Sequence, residues 1–279
     1  MIALPVGPVM LPWGPVIILA GYGLATLIAW SNRRRGQADA EPALYSLLLL
    51  ALAGARMGFV ATHWQEFDGP WAMLDIRDAG FAFWPGVSAA LAGGLLWIWR
   101  RPALGRPLVT SLAGGTLAAA LLASFVAPRQ VPRKSLPHLT LQTIDGATVQ
   151  LSGMRGKPLV MNLWATWCPP CQRELPMLVK AATRTPGIRF ILVDQGQDAP
   201  TVRAYLNRKR LDSSRIVLDP DGLLLRAYHA LGLPTTLFVD AQGELKSVRV
   251  GQLSRATLAE GMATIRRRTP ASTSNVGGH

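Results

Sequence analysis

Cysteine is almost missing from this chain: its 279 residues contain two, at positions 168 and 171. Two thiols cannot form a network of structural disulfides. A pair three residues apart closes only a small ring, which suits redox cycling better than stapling. Histidine is also scarce, with four in the chain. No second Cys-x-x-Cys and no histidine pair is available to complete a structural zinc site. No metal and no cofactor are therefore expected. Residues 1–127 are poor in charge and rich in Leu, Ala, Gly and Trp, which argues against an ordinary soluble fold for that stretch. The chain as a whole has net charge +13, but from Lys134 onward its 19 basic and 10 acidic residues are scattered, with no interleaved aromatics. That pattern argues against nucleic acid. A basic surface beside anionic lipid headgroups or an acidic partner fits better. A pI near 10.9 with mean hydropathy +0.24 fits an integral membrane protein whose Lys and Arg are partly topogenic.

What the first part does contain is apolar length. Four runs, at about 9–30, 43–63, 81–99 and 108–127, approach the ~20 residues a helix needs to span a bilayer. The first has no basic start, so it is not read as a cleavable signal peptide. Arg33, Arg34 and Arg35 lie between the first two runs, and Arg100, Arg101 and Arg106 between the last two. The middle loop carries Glu66, Asp68, Asp75 and Asp78 against Arg77. The positive-inside rule then puts both Arg clusters in the cytoplasm and both termini outside. The bacterial inner membrane is the expected site, with the C-terminal part in the periplasm. A single re-entrant span would reverse that. Small residues at Gly54, Gly58, Gly86, Ala90, Gly93, Gly94, Gly114 and Gly115 predict close helix packing. Arg56, inside the second run, has two readings: a functional group, or a cation that snorkels or pairs with a carboxylate such as Asp78.

Gly21-Tyr22-Gly23-Leu24, Gly54-Ala55-Arg56-Met57-Gly58-Phe59 and Ala79-Gly80-Phe81-Ala82-Phe83-Trp84-Pro85-Gly86 carry a resemblance. The stretch from about 13 to 106 is similar to a shortened prolipoprotein diacylglyceryl transferase. In that family a histidine implicated in transfer stands where Trp84 is here, and the rest of the transferase, with its further arginines, is absent. The resemblance implies an inherited membrane scaffold, with a lipid- or partner-binding role open.

The remainder divides into a proline-rich basic tether at 128–136 (Arg129, Arg133, Lys134), a folded domain at 137–269 and a polar, Gly-rich tail at 270–279 expected to be disordered. Strand patterns fall at 138–142, 148–151, 158–164, 188–194, 216–218, 236–239 and 247–250. Helices are expected from the Cys pair onward, at 201–209 and at 255–267. Turns are read at Asp145-Gly146, Asp219-Pro220-Asp221-Gly222 and Asp240-Ala241-Gln242-Gly243. The alternation is that of an α/β sandwich. In Trp167-Cys168-Pro169-Pro170-Cys171 the apolar strand runs into the first turn of a helix. Unpaired N–H groups and the helix dipole there favour a Cys168 thiolate. Cys171, one turn on and facing inward, can resolve a mixed disulfide. The pair could instead serve as half a zinc site.

Asn162-Leu163-Trp164-Ala165-Thr166-Trp167-Cys168-Pro169-Pro170-Cys171-Gln172-Arg173-Glu174-Leu175-Pro176, Leu218-Asp219-Pro220-Asp221-Gly222 and Gly232-Leu233-Pro234-Thr235-Thr236 resemble the TlpA/ResA group of thioredoxin-like proteins. The resemblance implies a thioredoxin-like domain and a protein-disulfide reductase that acts on apocytochromes c, copper-site assembly proteins or other extracytoplasmic partners. It implies a cis bond before Pro234, with Trp167, Leu233, Pro234 and Thr235 facing the partner. Asn162 stands where ordinary thioredoxins have a buried Asp, and Glu174 matches the group's acid near the cysteines. Trp164 is read as packing, and Pro176 as a kink. The membrane part has no thiols, so a transmembrane thiol-electron carrier of the DsbD or CcdA kind is expected as reductant. A disulfide oxidase, a metal-handling assembly module and lipid transfer in the membrane part are the alternatives.

Overall fold

The structure, a computed structural model, describes residues 3–6, 9–67, 69–126, 135–228, 230 and 232–266. Asp68, most of the tether expected at 128–136 and all of the tail expected at 270–279 lie outside the described residues. The chain divides into two compact units, Met1–Pro132 and Arg133–His279.

The first unit opens with an antiparallel hairpin, β1 (Ala3–Val6) and β2 (Val9–Pro12), followed by α1 (Trp13–Arg34). The first apolar run was expected to be helical from about residue 9. The helix instead starts after Pro12, because proline disfavours helical backbone in the residue before it. The remaining helices are α2 (Glu41–Thr62), the short α3 (Pro70–Leu74), α4 (Phe83–Arg100) and α5 (Gly105–Val126). Among the described residues, three segments have both the length and the apolarity to cross a membrane: Val16–Arg34, Glu41–Thr62 and Pro102–Phe125. The third apolar run forms α4, which is 18 residues long and diluted by three tryptophans, Pro85 and Arg100.

The small residues do what their spacing predicted. A methyl group on Gly86 would come within 2.8 Å of the Ala51 carbonyl oxygen, and one on Gly21 within 2.8 Å of the Gly115 carbonyl oxygen. α2 thus lies directly on α4, and α1 on α5. Arg56 is buried in α2 and pairs with Asp78 at 2.9 Å. It also donates to the carbonyls of Met73, Asp75 and Gly80 at 2.7–2.9 Å. Of its two readings, this geometry is the structural one: the guanidinium ties the loop before α4 back onto α2.

The second unit contains β3 (Thr140–Thr143), β4 (Thr148–Gln150), β5 (Leu159–Trp164), α6 (Pro169–Arg184), β6 (Arg189–Gln195), α7 (Ala199–Lys209), β7 (Ile216–Asp219), α8 (Leu223–Ala227), β8 (Thr235–Val239), β9 (Leu245–Val250) and α9 (Arg255–Arg266). The seven strands form one sheet in the order β4-β3-β7-β6-β5-β8-β9. β5, β6 and β7 are parallel neighbours, and the other pairings are antiparallel. Every residue of central β5 is buried, as a strand covered on both faces requires. Val160, Trp164, Phe190 and Leu192 face the core that also holds Cys171 and Leu175 of α6. Leu159, Met161, Leu163, Ile191 and Val193 face the opposite core. The Asp145-Gly146 turn is present, with Gly146 at φ +85°. α8 has no counterpart in the sequence reading. It starts because the Asp219 carboxylate accepts the Leu223 and Leu224 N–H groups at 2.9 and 2.8 Å.

Candidate functional site

β5 ends at Trp164, and the chain reaches α6 through Ala165, Thr166 and Trp167. Cys168 is the N-cap of α6, in extended backbone, with Pro169 and Pro170 filling the first helical positions. The prolines cost little there, since first-turn N–H groups lack intrahelical partners. Cys168 and Cys171 are joined as a disulfide, and the Cys171 N–H points at the Cys168 Sγ at 3.3 Å. In this closed state both sulfurs lie under cover: Cys168 is 3 % exposed and Cys171 0 %. Trp167, by contrast, stands 66 % exposed beside them.

Glu174 sits on α6 one turn beyond Cys171 and is buried on the same side. Its Oε1 accepts from Asn162 Nδ2 at 2.7 Å, and its Oε2 accepts from the Leu253 N–H at 2.6 Å. The same Asn162 amide also donates to Thr236 Oγ1 at 2.9 Å. Burial pushes the Glu174 carboxyl up to about 7, against the two hydrogen bonds that favour its ionised form. Asn162 therefore takes part in the site by holding the buried acid that α6 carries.

The peptide between Leu233 and Pro234 is cis. Leu233 is half-buried, while Pro234 and Thr235 are buried where β8 begins. The Thr235 hydroxyl donates to the Gly232 carbonyl at 2.6 Å. Of the four residues expected to face a partner, Trp167 and Leu233 reach the surface in this state. Trp164 is fully buried against Tyr205, as a packing residue should be. Pro176 lies inside α6.

Two residues that the sequence reading passed over border the site. Asp194, at the end of β6, pairs in register with Trp164 and is fully buried. Neither of its carboxylate oxygens completes a hydrogen bond. Burial pushes it up to about 7; the dipole of the nearby Gln197 backbone N–H, which closes no hydrogen bond to it, offsets part of that, and the Asp219 charge adds to it. Gln197, in the following corner, grips Thr166 through its side-chain amide. Its only sequence signal is its place at the carboxyl end of a central strand, where α/β folds put functional groups. Among the described residues no cluster of His, Cys, Asp and Glu suits a metal ion.

Residues 1–131 match the family model of prolipoprotein diacylglyceryl transferase, and residues 132–248 that of the AhpC/TSA family. The thiol-disulfide oxidoreductase ResA of Halalkalibacterium halodurans is 30 % identical over 147 residues, covering 51 % of this chain and 83 % of that protein. This chain belongs to the ResA-type thiol-disulfide oxidoreductases. The ResA of Bacillus subtilis is 28 % identical over 132 residues, covering 47 % of this chain and 73 % of that protein. Among solved structures, StoA from Bacillus subtilis aligns with TM-score 0.40 and 25 % identity over 45 % of this chain and 98 % of its own. The chain thus carries a thioredoxin-like sheet domain, joined to an N-terminal helical region with candidate membrane helices that matches the diacylglyceryl transferase model.

Proposed function

We propose that this oxidoreductase reduces disulfides in extracytoplasmic proteins, with Cys168 as the attacking thiol and Cys171 as the resolving one. The observation that carries this is the closed Cys168–Cys171 pair at the N-terminus of α6, with buried Glu174 one turn further on. In the forward reaction the Cys168 thiolate attacks a partner disulfide, and one partner sulfur leaves and takes up a proton. The Cys171 thiolate then attacks the Cys168 Sγ. The second partner sulfur is released and protonated, and the Cys168–Cys171 disulfide remains. The partner gains two electrons and two protons. Glu174, poised near neutrality, supplies or accepts the proton of Cys171. Trp167, Leu233, Pro234 and Thr235 form the border against which an extended partner segment is read.

The membrane region has no cysteine, so another protein must restore the dithiol. A transmembrane thiol carrier of the DsbD or CcdA kind meets that need. On this proposal there are four spans with both Arg clusters cytoplasmic, and hence a thioredoxin-like domain on the periplasmic side of a bacterial inner membrane. α4 supports the fourth span: its 18 residues rise about 27 Å, close to the hydrocarbon thickness of ~30 Å, and it packs along α2 through Gly54, Gly58 and Gly86.

A Cys171→Ala variant expressed in its native host tests the reading. Cys168 should accumulate as a mixed disulfide with an extracytoplasmic protein that a reductant releases. No trapped partner, or only cytoplasmic ones, would refute the proposal.

A further inference from the structure

Thr166, between the strand that ends at Trp164 and the cysteine that caps α6, offers three polar groups, and all three are held. Its N–H donates to Gln197 Oε1 at 2.7 Å, and its Oγ1 accepts from Gln197 Nε2 at 2.8 Å. Its carbonyl accepts from Gln172 Nε2 at 2.6 Å. The two glutamines act differently. Gln172 lies on α6, so its bond ties the loop to the helix that the loop leads into. Gln197 lies 31 residues from Thr166, after β6, so its bonds refer the loop to the body of the sheet. One amide that both accepts from and donates to a single residue makes a two-point grip, which resists rotation as well as displacement.

The corner that carries Gln197 is itself fixed on both sides. Gly196 adopts φ +83°, and its N–H donates to the Asp219 carbonyl at 3.0 Å. Asp198 caps α7 by accepting from the Thr201 N–H at 3.0 Å. The grip therefore transmits the position of a rigid corner to the residue just before Trp167 and Cys168.

We infer that Gln197 is a positioning residue for thiol–disulfide exchange, fixing the orientation in which Trp167 and Cys168 meet a partner disulfide. The inference rests on the reading that Cys168 attacks. A positioned thiol matters most when the partner is large and can approach from one direction only; a small alkylating agent reaches the sulfur from many. A glutamine that merely satisfied a half-buried loop would affect stability and leave that contrast unchanged.

The test uses the full chain in detergent, reduced, at pH 7. Rates are measured with insulin as the protein disulfide and with iodoacetamide as the small reagent. Gln197→Leu removes both contacts and should lower the insulin-to-iodoacetamide rate ratio about ten-fold. Gln197→Glu keeps an acceptor for the Thr166 N–H and offers a second oxygen to its hydroxyl, which then donates; the ratio should return to within about two-fold of wild type. An unchanged ratio in Gln197→Leu, or no recovery in Gln197→Glu, overturns the inference. If Gln197→Leu does not fold, Thr166→Val removes only the hydroxyl half and should lower the ratio about three-fold; no change there is equally fatal. If the wild-type protein does not reduce insulin, or Cys168→Ala is alkylated as fast as wild type, it is the exchange reading that has failed.

Discussion

Arg56 in the membrane unit and Glu174 in the soluble unit are buried to a similar degree, 8 % and 2 % exposed, but their surroundings differ in kind. Arg56 has a full counter-charge in Asp78 and backbone carbonyls for its other N–H groups. Such a group is held in one place. Removing its partner would leave a charge uncompensated in a poor dielectric. Glu174 meets neutral donors, the Asn162 amide and the Leu253 N–H. Nothing there forces ionisation, and burial opposes it, so the carboxyl stands near neutrality and can hold or release a proton. One half uses a buried charge to hold a loop; the other keeps a buried acid able to change state.

The contrast can be tested from its strongest consequence downward. Cys168→Ala should reduce exchange with insulin to the uncatalysed background while both units stay folded; retained exchange would remove the soluble unit's chemistry from the comparison. Arg56→Leu should destabilise the membrane unit by about 3–5 kcal/mol, because Asp78 is left buried without its cation. Denaturation in detergent measures this, and the double variant with Asp78→Asn should recover much of the loss. The reduced protein's reaction with iodoacetamide should be unaffected in both, and a parallel fall would mean the two halves are coupled.

Asp194 gives a third test, of intermediate size. Its folded-state value, about 7, lies above the ~3.9 of an unfolded aspartate. Between those values the unfolded chain has released a proton that the folded chain keeps, so stability falls as pH rises from about 4 to about 7 and then levels. Asp194→Asn should raise soluble-unit stability by on the order of 4 kcal/mol at pH 8 and by nothing near pH 4. A gain independent of pH would mean that the carboxyl is not titrating in this range. The smallest effect is expected at Glu174→Gln. It should remove the component near pH 7 from the absorbance titration of the reduced thiols, with a rate change at pH 8 of less than about ten-fold. If that component persists, Glu174 does not exchange the proton.

The soluble fold was readable wherever the signal is local. The continuous apolar run of β5, the Asp-Gly turn and the prolines after Cys168 each declare an element within a few residues. The cis bond before Pro234 was reached through resemblance instead. What stayed hidden depends on contacts between distant segments. Glu174 was reached through resemblance too, but what holds it inward, the Asn162 amide and the Leu253 N–H 79 residues away, was not legible from the helix itself. Gln197 and Asp194 are invisible for the same reason. α8 is masked by a turn whose aspartate proves to be its N-terminal acceptor. In the membrane unit, hydropathy found the four long helices but not that α4, at 18 residues, is shorter than the other three at 22.

The solitary Cys168–Cys171 pair has a kinetic corollary. A protein with one dithiol stores one electron pair and cannot hold donor and acceptor at the same sulfur. Its turnover is double displacement: charge, leave, discharge, return. Initial rates plotted reciprocally against one substrate, at fixed levels of the other, should give parallel lines, and a molecule between encounters carries the whole memory of the last one in a single covalent bond.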